Sequence, residues 1–219
     1  VDYDATNDWT LTNITSGTGG VGTDAQGETV LSLAATTVNE GIGSLQYNHG
    51  TNFGGTLLEA GRTIIFETIA RCDEWDNCDW FIGLGGEDTT FLSSAGAILA
   101  TGGDNCIGWH MLQTETSPTY AQAGTAVANL VRSSSGLTLT NGSQYIFGIR
   151  MYATSTTAGT AEWYFGTKAN STAQRAETGG QVWNTRLIAR ASLQTFAAVL
   201  LFPTFGMIAN GSAIAFDLA

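Results

Sequence analysis

Short apolar stretches recur along the whole chain, and none of them shows a sustained 3.6-residue apolar period. Gly, Asn and Ser stand between these stretches, where they favour turns. β-Branched residues favour pleated strands, and frequent Gly weakens helix interiors. The pattern therefore predicts an all-β chain, in which residues 121–131 are the one candidate for a helical turn.

The alternation of apolar and polar positions predicts about a dozen strands. They are Trp9–Ile14, Thr29–Val38, Ser44–Asn48, Arg62–Arg71, Trp80–Leu84, Ile107–Leu112, Gly136–Thr140, Gln144–Tyr152, Ala161–Thr167, Leu187–Ala191, Phe196–Phe202 and Ala213–Leu218. Asn141-Gly142 predicts a two-residue hairpin turn between the seventh and eighth of these, because Asn-Gly accepts positive φ angles. Asn210-Gly211 is a second such turn before the last strand.

Many short strands without intervening helices are typical of a two-sheet sandwich or a barrel. The stretches Trp80–Leu84 and Phe196–Phe202 are apolar on both sides, as in central strands that are covered on both faces. We therefore predict an antiparallel jelly-roll sandwich, with residues 1–219 forming a single domain.

Composition and charge argue against nucleic acids and membranes as partners. Charged residues make up 12% of the chain, against roughly 25% in an average soluble domain, so the surface is neutral and rich in hydroxyl groups. The net charge is -11 and Lys168 is the only lysine, which argues against nucleic-acid binding. The longest apolar run is far shorter than the ~20 residues that a membrane helix needs, so we expect no membrane association.

An acidic loop from Cys72 to Asp79 is the densest cluster of chemically active residues. Asp73, Asp76 and Asp79 are candidate calcium ligands, although their spacing matches no known calcium loop. In a strand, Glu74 and Asp76 would share a face, as the paired acids of glycoside hydrolases do. The alternatives are a calcium site, a hydrolase site and a solvated acidic loop.

Other catalytic patterns are missing, so we predict no catalytic residues, no cofactor site and no enzymatic activity. His49 and His110 stand in no triad or zinc pattern, and the chain has no Gly-x-Ser-x-Gly motif. Cys72 and Cys78 flank the acidic loop and form either a disulfide or a pair of reduced thiols, whereas Cys106 is far away in the sequence.

Two tryptophans are candidates for contact with a glycan or another partner. Trp75 is surrounded by acids and Trp183 lies near Gly179-Gly180, so we expect both rings to be exposed.

Taken together, several segments resemble the concanavalin A-like lectin/glucanase sandwiches, and in particular the variants that decorate or cement the heads of tailed bacteriophages. The segments are Asn52–Thr56, Trp80–Thr89, Ile107–Trp109, Tyr145–Tyr152, Ala161–Phe165 and Ala215–Leu218. The catalytic members carry the acid pattern Glu-x-Asp-x-Glu, whereas here Cys78 stands at the third acid position.

The resemblance implies a non-enzymatic virion protein on the outer capsid surface, with the major capsid protein and sister copies in a homotrimer as partners. An acidic protein suits the outer surface because packaged DNA would repel it. The alternatives are a carbohydrate-binding, lectin-like module and a glycoside hydrolase.

Overall fold

The computed structural model describes fourteen stretches of the chain, and the structure is discussed for these residues. They are residues 9–13, 18–23, 29–35, 41–47, 56–57, 59–86, 92–93, 98, 105–124, 130–155, 158–168, 183–195, 200–210 and 214–218. Fifteen strands lie within them, and every strand pair is antiparallel. No helix in this part of the chain is long and apolar enough to cross a membrane.

The first sheet contains eight strands. In spatial order they are β1 (Trp9–Asn13), β4 (Gly41–Tyr47), β14 (Leu200–Ala209), β7 (Cys78–Gly85), β8 (Cys106–Met111), β9 (Thr119–Ala123) and β10 (Val131–Ser134), with β5 (Thr56–Leu57) paired to β14. The second sheet contains seven strands. They are β13 (Trp183–Ser192), β12 (Ala158–Lys168), β11 (Gln144–Ser155), β6 (Thr63–Cys72), β15 (Ile214–Leu218), β3 (Thr29–Ala35) and β2 (Thr18–Thr23).

An aromatic cluster fills the space between the sheets. Trp75 lies at its centre, with its ring centroid 5.3 Å from those of Trp80 and Phe216 and 5.8 Å from that of Phe147. Trp75 belongs to the turn between β6 and β7, which are in opposite sheets. Edge-on aromatic packing of this kind adds to the stabilisation from burial. The predicted jelly-roll sandwich is confirmed.

The first sheet is buried on both faces at its centre. Every residue of β7 and β8 is buried. On the face away from the aromatic cluster, Phe81 packs in a second apolar cluster that includes Leu92, Ile98 and Ile208. The prediction that Trp80–Leu84 is a central strand covered on both faces is therefore correct.

The predicted hairpin at Asn141-Gly142 is only half right. Gly142 has a φ of +73°, as the turn requires, but residues 135–140 form no strand. Both edges of β11 are already occupied, because β6 pairs along one and β12 along the other. The segment before the turn therefore has no free edge to pair with.

Other differences concern strand ends and short strands. The strand predicted over Phe196–Phe202 begins at Leu200 and continues through Pro203 to Ala209, whereas residues 196–199 lie outside the described part. The alternation did not predict β2, β5, β9 or β10. The candidate helical turn at residues 121–131 is wrong where it can be checked, because residues 121–123 belong to β9.

Candidate functional site

The open face, defined as the side of the second sheet that points away from the core, carries a polar cluster on three adjacent strands. Arg150 of β11 lies opposite Glu162 of β12, and Glu162 lies opposite Arg190 of β13. The neighbours of Arg150 along its strand, Ile149 and Met151, are buried in the core. The alternation of β-strand side chains therefore directs Arg150 outward.

Glu162 is the centre of this cluster. Arg190 donates two hydrogen bonds to the Oε1 atom of Glu162, one from Nε at 2.8 Å and one from Nη2. The hydroxyl of Tyr164 donates to Oε2 at 2.7 Å, and Arg150 Nη1 lies 3.8 Å from the same oxygen. The Glu162 side chain is only 10% exposed, whereas those of Arg150 and Arg190 are 51% and 63% exposed. One buried carboxylate therefore orients two exposed guanidinium groups.

These contacts shift two pKa values. The hydrogen bond from Tyr164 lowers the pKa of Glu162, and the nearby arginines act in the same direction against the effect of burial. The same hydrogen bond raises the pKa of Tyr164, because it places the hydroxyl beside a negative charge. At neutral pH, Glu162 is therefore ionised and Tyr164 keeps its proton.

A shallow pocket of about 330 Å³ lies beside this cluster. It is lined by Arg150, Tyr152, Thr160, Glu162 and Arg190. Tyr152 is paired with Thr160 and is 44% exposed, so its hydroxyl lies on the accessible side of the sheet. The pocket therefore combines two cations, one buried carboxylate and two hydroxyl groups.

Apolar side chains border the polar cluster. Ile65 lies opposite Arg150 on β6 and is 72% exposed. Leu187 lies opposite Tyr164 on β13 and is 45% exposed. The open face therefore presents both charged and apolar side chains.

The structure does not bring the candidate calcium ligands together. Asp73 pairs with Arg71 at 2.8 Å, and Asp76 accepts a hydrogen bond of 2.8 Å from Asn141. Asp79 is buried and accepts hydrogen bonds from the Gln113 amide at 2.7 Å and from the Asn210 side chain. Within the described stretches, no three His, Cys, Asp or Glu side chains form a group that could hold a metal ion.

The acid pair considered for glycoside hydrolysis does not form either. Glu74 lies in the turn between β6 and β7, where its Oε2 atom accepts a hydrogen bond of 2.7 Å from Asn77. Asp76 lies in the same turn, so the two carboxylates do not alternate along a strand. The strand geometry that the hydrolase hypothesis needed is absent from this turn.

The predicted exposure of Trp75 is wrong. Its side chain is 1% exposed, and its indole Nε1 donates to the Ser143 carbonyl oxygen at 3.2 Å. The turn folds inward because the aromatic ring completes the core, so Trp75 offers no platform to a sugar. Trp183 is the first residue of β13, but its side chain lies outside the described part, and its role as a partner contact stays a prediction.

The cluster around Glu162 was not predicted from the sequence. A usable signal was present, since Glu162 and Tyr164 alternate with Trp163 and Phe165 in one strand. A carboxylate on the outer side of such an apolar strand indicates an open, polar sheet face. Arg190, in another strand, could not be joined to it without knowledge of the register.

Comparisons with solved structures identify proteins of similar fold. The endo-β-1,4-glucuronan lyase from the fungus Trichoderma reesei is 11% identical, with 96% of this chain and 91% of that chain covered at a TM-score of 0.55. The marine PL-14 alginate lyase from Aplysia kurodai is 8% identical, with 92% and 86% covered at a TM-score of 0.54. At these identities the likeness shows the fold alone. No protein-family model and no curated protein sequence matches the chain.

These two structures overturn the prediction that the chain is not an enzyme. That prediction rested on the missing acid pair of the glucanases and on the absence of triad, zinc and Gly-x-Ser-x-Gly patterns. Lyases use the same sandwich, and elimination needs a proton-transferring group and a charge-neutralising group instead of two carboxylates. The missing acid pair therefore does not exclude catalysis on this fold.

Proposed function

We propose that the open face binds an acidic polysaccharide and cleaves it by β-elimination. The observation that carries the proposal is the pair of exposed arginines held by Glu162. Two guanidinium groups around one carboxylate leave a net positive charge, and a guanidinium fork pairs well with a carboxylate. A polymer of uronic acids presents such carboxylates at regular intervals.

The distribution of charge supports this site. The whole chain carries a net charge of -11, yet five of its eight basic residues belong to strands of the second sheet. They are Arg71, Arg150, Lys168, Arg186 and Arg190. An acidic polymer is therefore better accommodated along these strands than elsewhere on an acidic protein.

The chemistry of elimination assigns a role to Tyr152. A base removes the proton at C5 of a uronate, the electron pair forms a C4–C5 double bond, and the glycosidic bond at C4 breaks as its oxygen takes up a proton. An arginine beside the carboxylate stabilises the negative charge that develops. The hydroxyl of Tyr164 is already hydrogen-bonded to Glu162. We therefore assign both proton transfers, from C5 and to the glycosidic oxygen, to Tyr152, which lines the pocket.

The substrates for which the two similar lyases are named support an acidic polysaccharide as the ligand. The two lyases of similar fold are named for glucuronan and alginate, and both polymers consist of uronic acids. The candidate substrates for this chain are therefore polyglucuronate and alginate.

An absorbance assay tests the proposal. The protein is incubated with polyglucuronate, with alginate and with the same polymers after reduction of their carboxyl groups. We expect ultraviolet absorbance from the new double bond with an acidic polymer only, and a loss of about 100-fold in rate for Tyr152→Phe with binding retained. Binding without product would refute elimination and leave a lectin-like module, whereas neither binding nor product would refute the whole proposal.

Attachment to a phage capsid, through the major capsid protein and sister copies, stays a prediction. Neither of the two structures compared above is a virion protein. The feature that favours attachment is the pair of exposed aliphatic side chains, Ile65 and Leu187, because such groups bury well against a partner. Mass spectrometry of purified virions tests it, and absence of the chain from the particles would contradict it.

A further inference from the structure

We propose that Cys72 and Cys78 form a disulfide that ties the two sheets together when the chain folds in the presence of a small-molecule disulfide. The proposal does not depend on the function of the open face. It concerns the opposite end of the β6 strand from Ile65, at the turn that carries Trp75 into the core.

The two sulfur atoms already face each other across the sandwich. Cys72 is the last residue of β6 in the second sheet, and Cys78 is the first residue of β7 in the first sheet. Their Sγ atoms are 3.5 Å apart, and both side chains are fully buried. A disulfide has a sulfur separation of roughly 2 Å, so the two sulfur atoms must approach each other by about 1.5 Å to form the bond.

The backbone around the pair is held from several directions. The Asn77 amide donates to the Glu74 carbonyl oxygen at 3.2 Å, which closes the turn between the cysteines. The Gly142 amide donates to the Cys72 carbonyl oxygen at 2.8 Å, and the Asn210 amide donates to the Asn77 carbonyl oxygen at 3.1 Å. The facing arrangement of the thiols therefore belongs to the fold and does not arise from one loose loop.

Cys106 provides a contrast within the same chain. It lies in β8 and packs with Phe81 and Ala121 in the second apolar cluster, on the other face of the first sheet. Cys72 and Cys78 belong to the core between the sheets. The first sheet therefore separates Cys106 from the other two, and the proposed pairing is specific.

The bond forms by two exchange steps. The thiolate of one cysteine attacks oxidised glutathione and releases one glutathione thiolate, and the second cysteine then attacks the mixed disulfide and releases the other. The two cysteine protons pass to solvent or to the released thiolates, and the glutathione disulfide takes up two electrons. The hydrogen bond with Cys72, together with burial, raises the pKa of Cys78, so the exchange belongs to folding, before the core closes.

Thiol counting tests the proposal on the full chain. The protein is refolded with a mixture of reduced and oxidised glutathione, quenched with acid, denatured and labelled with a maleimide. We expect one labelled thiol per chain, Cys106, and three after reduction. Chymotrypsin cleaves after aromatic residues such as Trp75, so a digest should contain two peptides joined through Cys72 and Cys78.

Two further measurements keep the test decisive. The variant Cys106→Ala should show no labelled thiol after oxidative refolding, and the oxidised wild type should melt about 5–10 °C above the reduced form. Three labelled thiols after oxidative refolding, or a disulfide-linked peptide that contains Cys106, would overturn the proposal. Both outcomes are read from the wild-type chain, so they do not depend on whether a Cys72 variant folds.

Discussion

The indole Nε1 of Trp163, in the second sheet, donates a hydrogen bond of 2.9 Å to the carbonyl oxygen of Gly108 in the first sheet. Trp109, the residue after Gly108, donates in the opposite direction, at 3.2 Å, to the carbonyl oxygen of Gly148. The two sheets are therefore joined by a reciprocal pair of buried hydrogen bonds. Gly148 lies two residues before Arg150, so this pair also fixes the strand beneath the candidate site.

We predict that Trp163→Phe destabilises the protein more than Trp80→Phe does. Both tryptophans are fully buried, but Trp80 Nε1 has no hydrogen-bond partner among the described residues. Loss of the Trp163 bond should make its variant about 1–2 kcal/mol less stable than the Trp80 variant. Urea denaturation at neutral pH measures the difference, and equal losses would show that the bond to Gly108 contributes nothing.

The two acceptor glycines should differ in their tolerance of a methyl group. A Cβ atom on Gly108 would lie 2.5 Å from the Phe81 ring and 2.6 Å from the Ile82 carbonyl oxygen, whereas on Gly148 it would lie 3.2 Å from the Tyr164 Cβ atom. We expect Gly108→Ala to lower the free energy of unfolding by about 2–3 kcal/mol, because overpacking of a closed core forces the backbone to move. Gly148→Ala should cost less, and thermal melts of both variants would reveal the opposite order if the interpretation is wrong.

Glu162→Gln tests the cluster on the open face through its pH dependence. The pKa of Glu162 is lowered from 4.5 in the folded state, so its ionised form adds stability that is present above that value. This contribution is lost as the pH falls through the lower folded-state pKa. The stability difference between wild type and variant should therefore shrink on acidification, and a difference that grows below pH 4.5 would contradict the assignment.

The absolute size of this effect should be small. Arg150 and Arg190 are more than half exposed, so water screens their attraction to Glu162. Exposed ion pairs contribute less than about 1 kcal/mol. Denaturation curves at several pH values on both proteins measure it, and Arg62→Gln, which removes an exposed arginine paired with Glu59, serves as a control.

Calcium should not stabilise the folded chain through the acidic loop. Asp73 and Asp76 hold separate partners, and Asp79 accepts hydrogen bonds inside the protein. We expect millimolar calcium, and its removal with a chelator, to move the melting temperature by less than about 1 °C. A larger rise that is lost in Asp76→Asn would show that the loop binds the ion.

The sandwich was predictable because its signals are local. The strand predicted over Gln144–Tyr152 is present, with Phe147 and Ile149 buried, and the apolar stretch at Trp80 identified a doubly covered strand. The end of β14 was missed because Pro203 normally ends a central strand. Here β14 continues because β5 pairs with it before Pro203 and β4 pairs with it after Pro203, while β7 pairs along its other edge through Pro203 itself.

The site was not predictable because it depends on register. Alternation within β11 places Arg150 and Tyr152 on one strand face, but their neighbours Glu162 and Arg190 come from later strands. Alternation gives the face on which a residue lies but not the residue beside it on the next strand. The acidic loop was a candidate site because its carboxylates lie close together in the sequence. The fold directs these carboxylates to different partners.

Calorimetric titration with an acidic oligosaccharide tests the role of the open face most directly. Arg150→Gln and Arg190→Gln each remove a cation from the pocket, and Arg186→Gln removes one from the same strand as Arg190 but outside the pocket lining. We predict a loss of affinity of about 10-fold or more for the first two variants and less than about 2-fold for the third. Equal losses in all three variants, or unchanged affinity in the first two, would contradict the assignment of Arg150 and Arg190 as the carboxylate-binding groups.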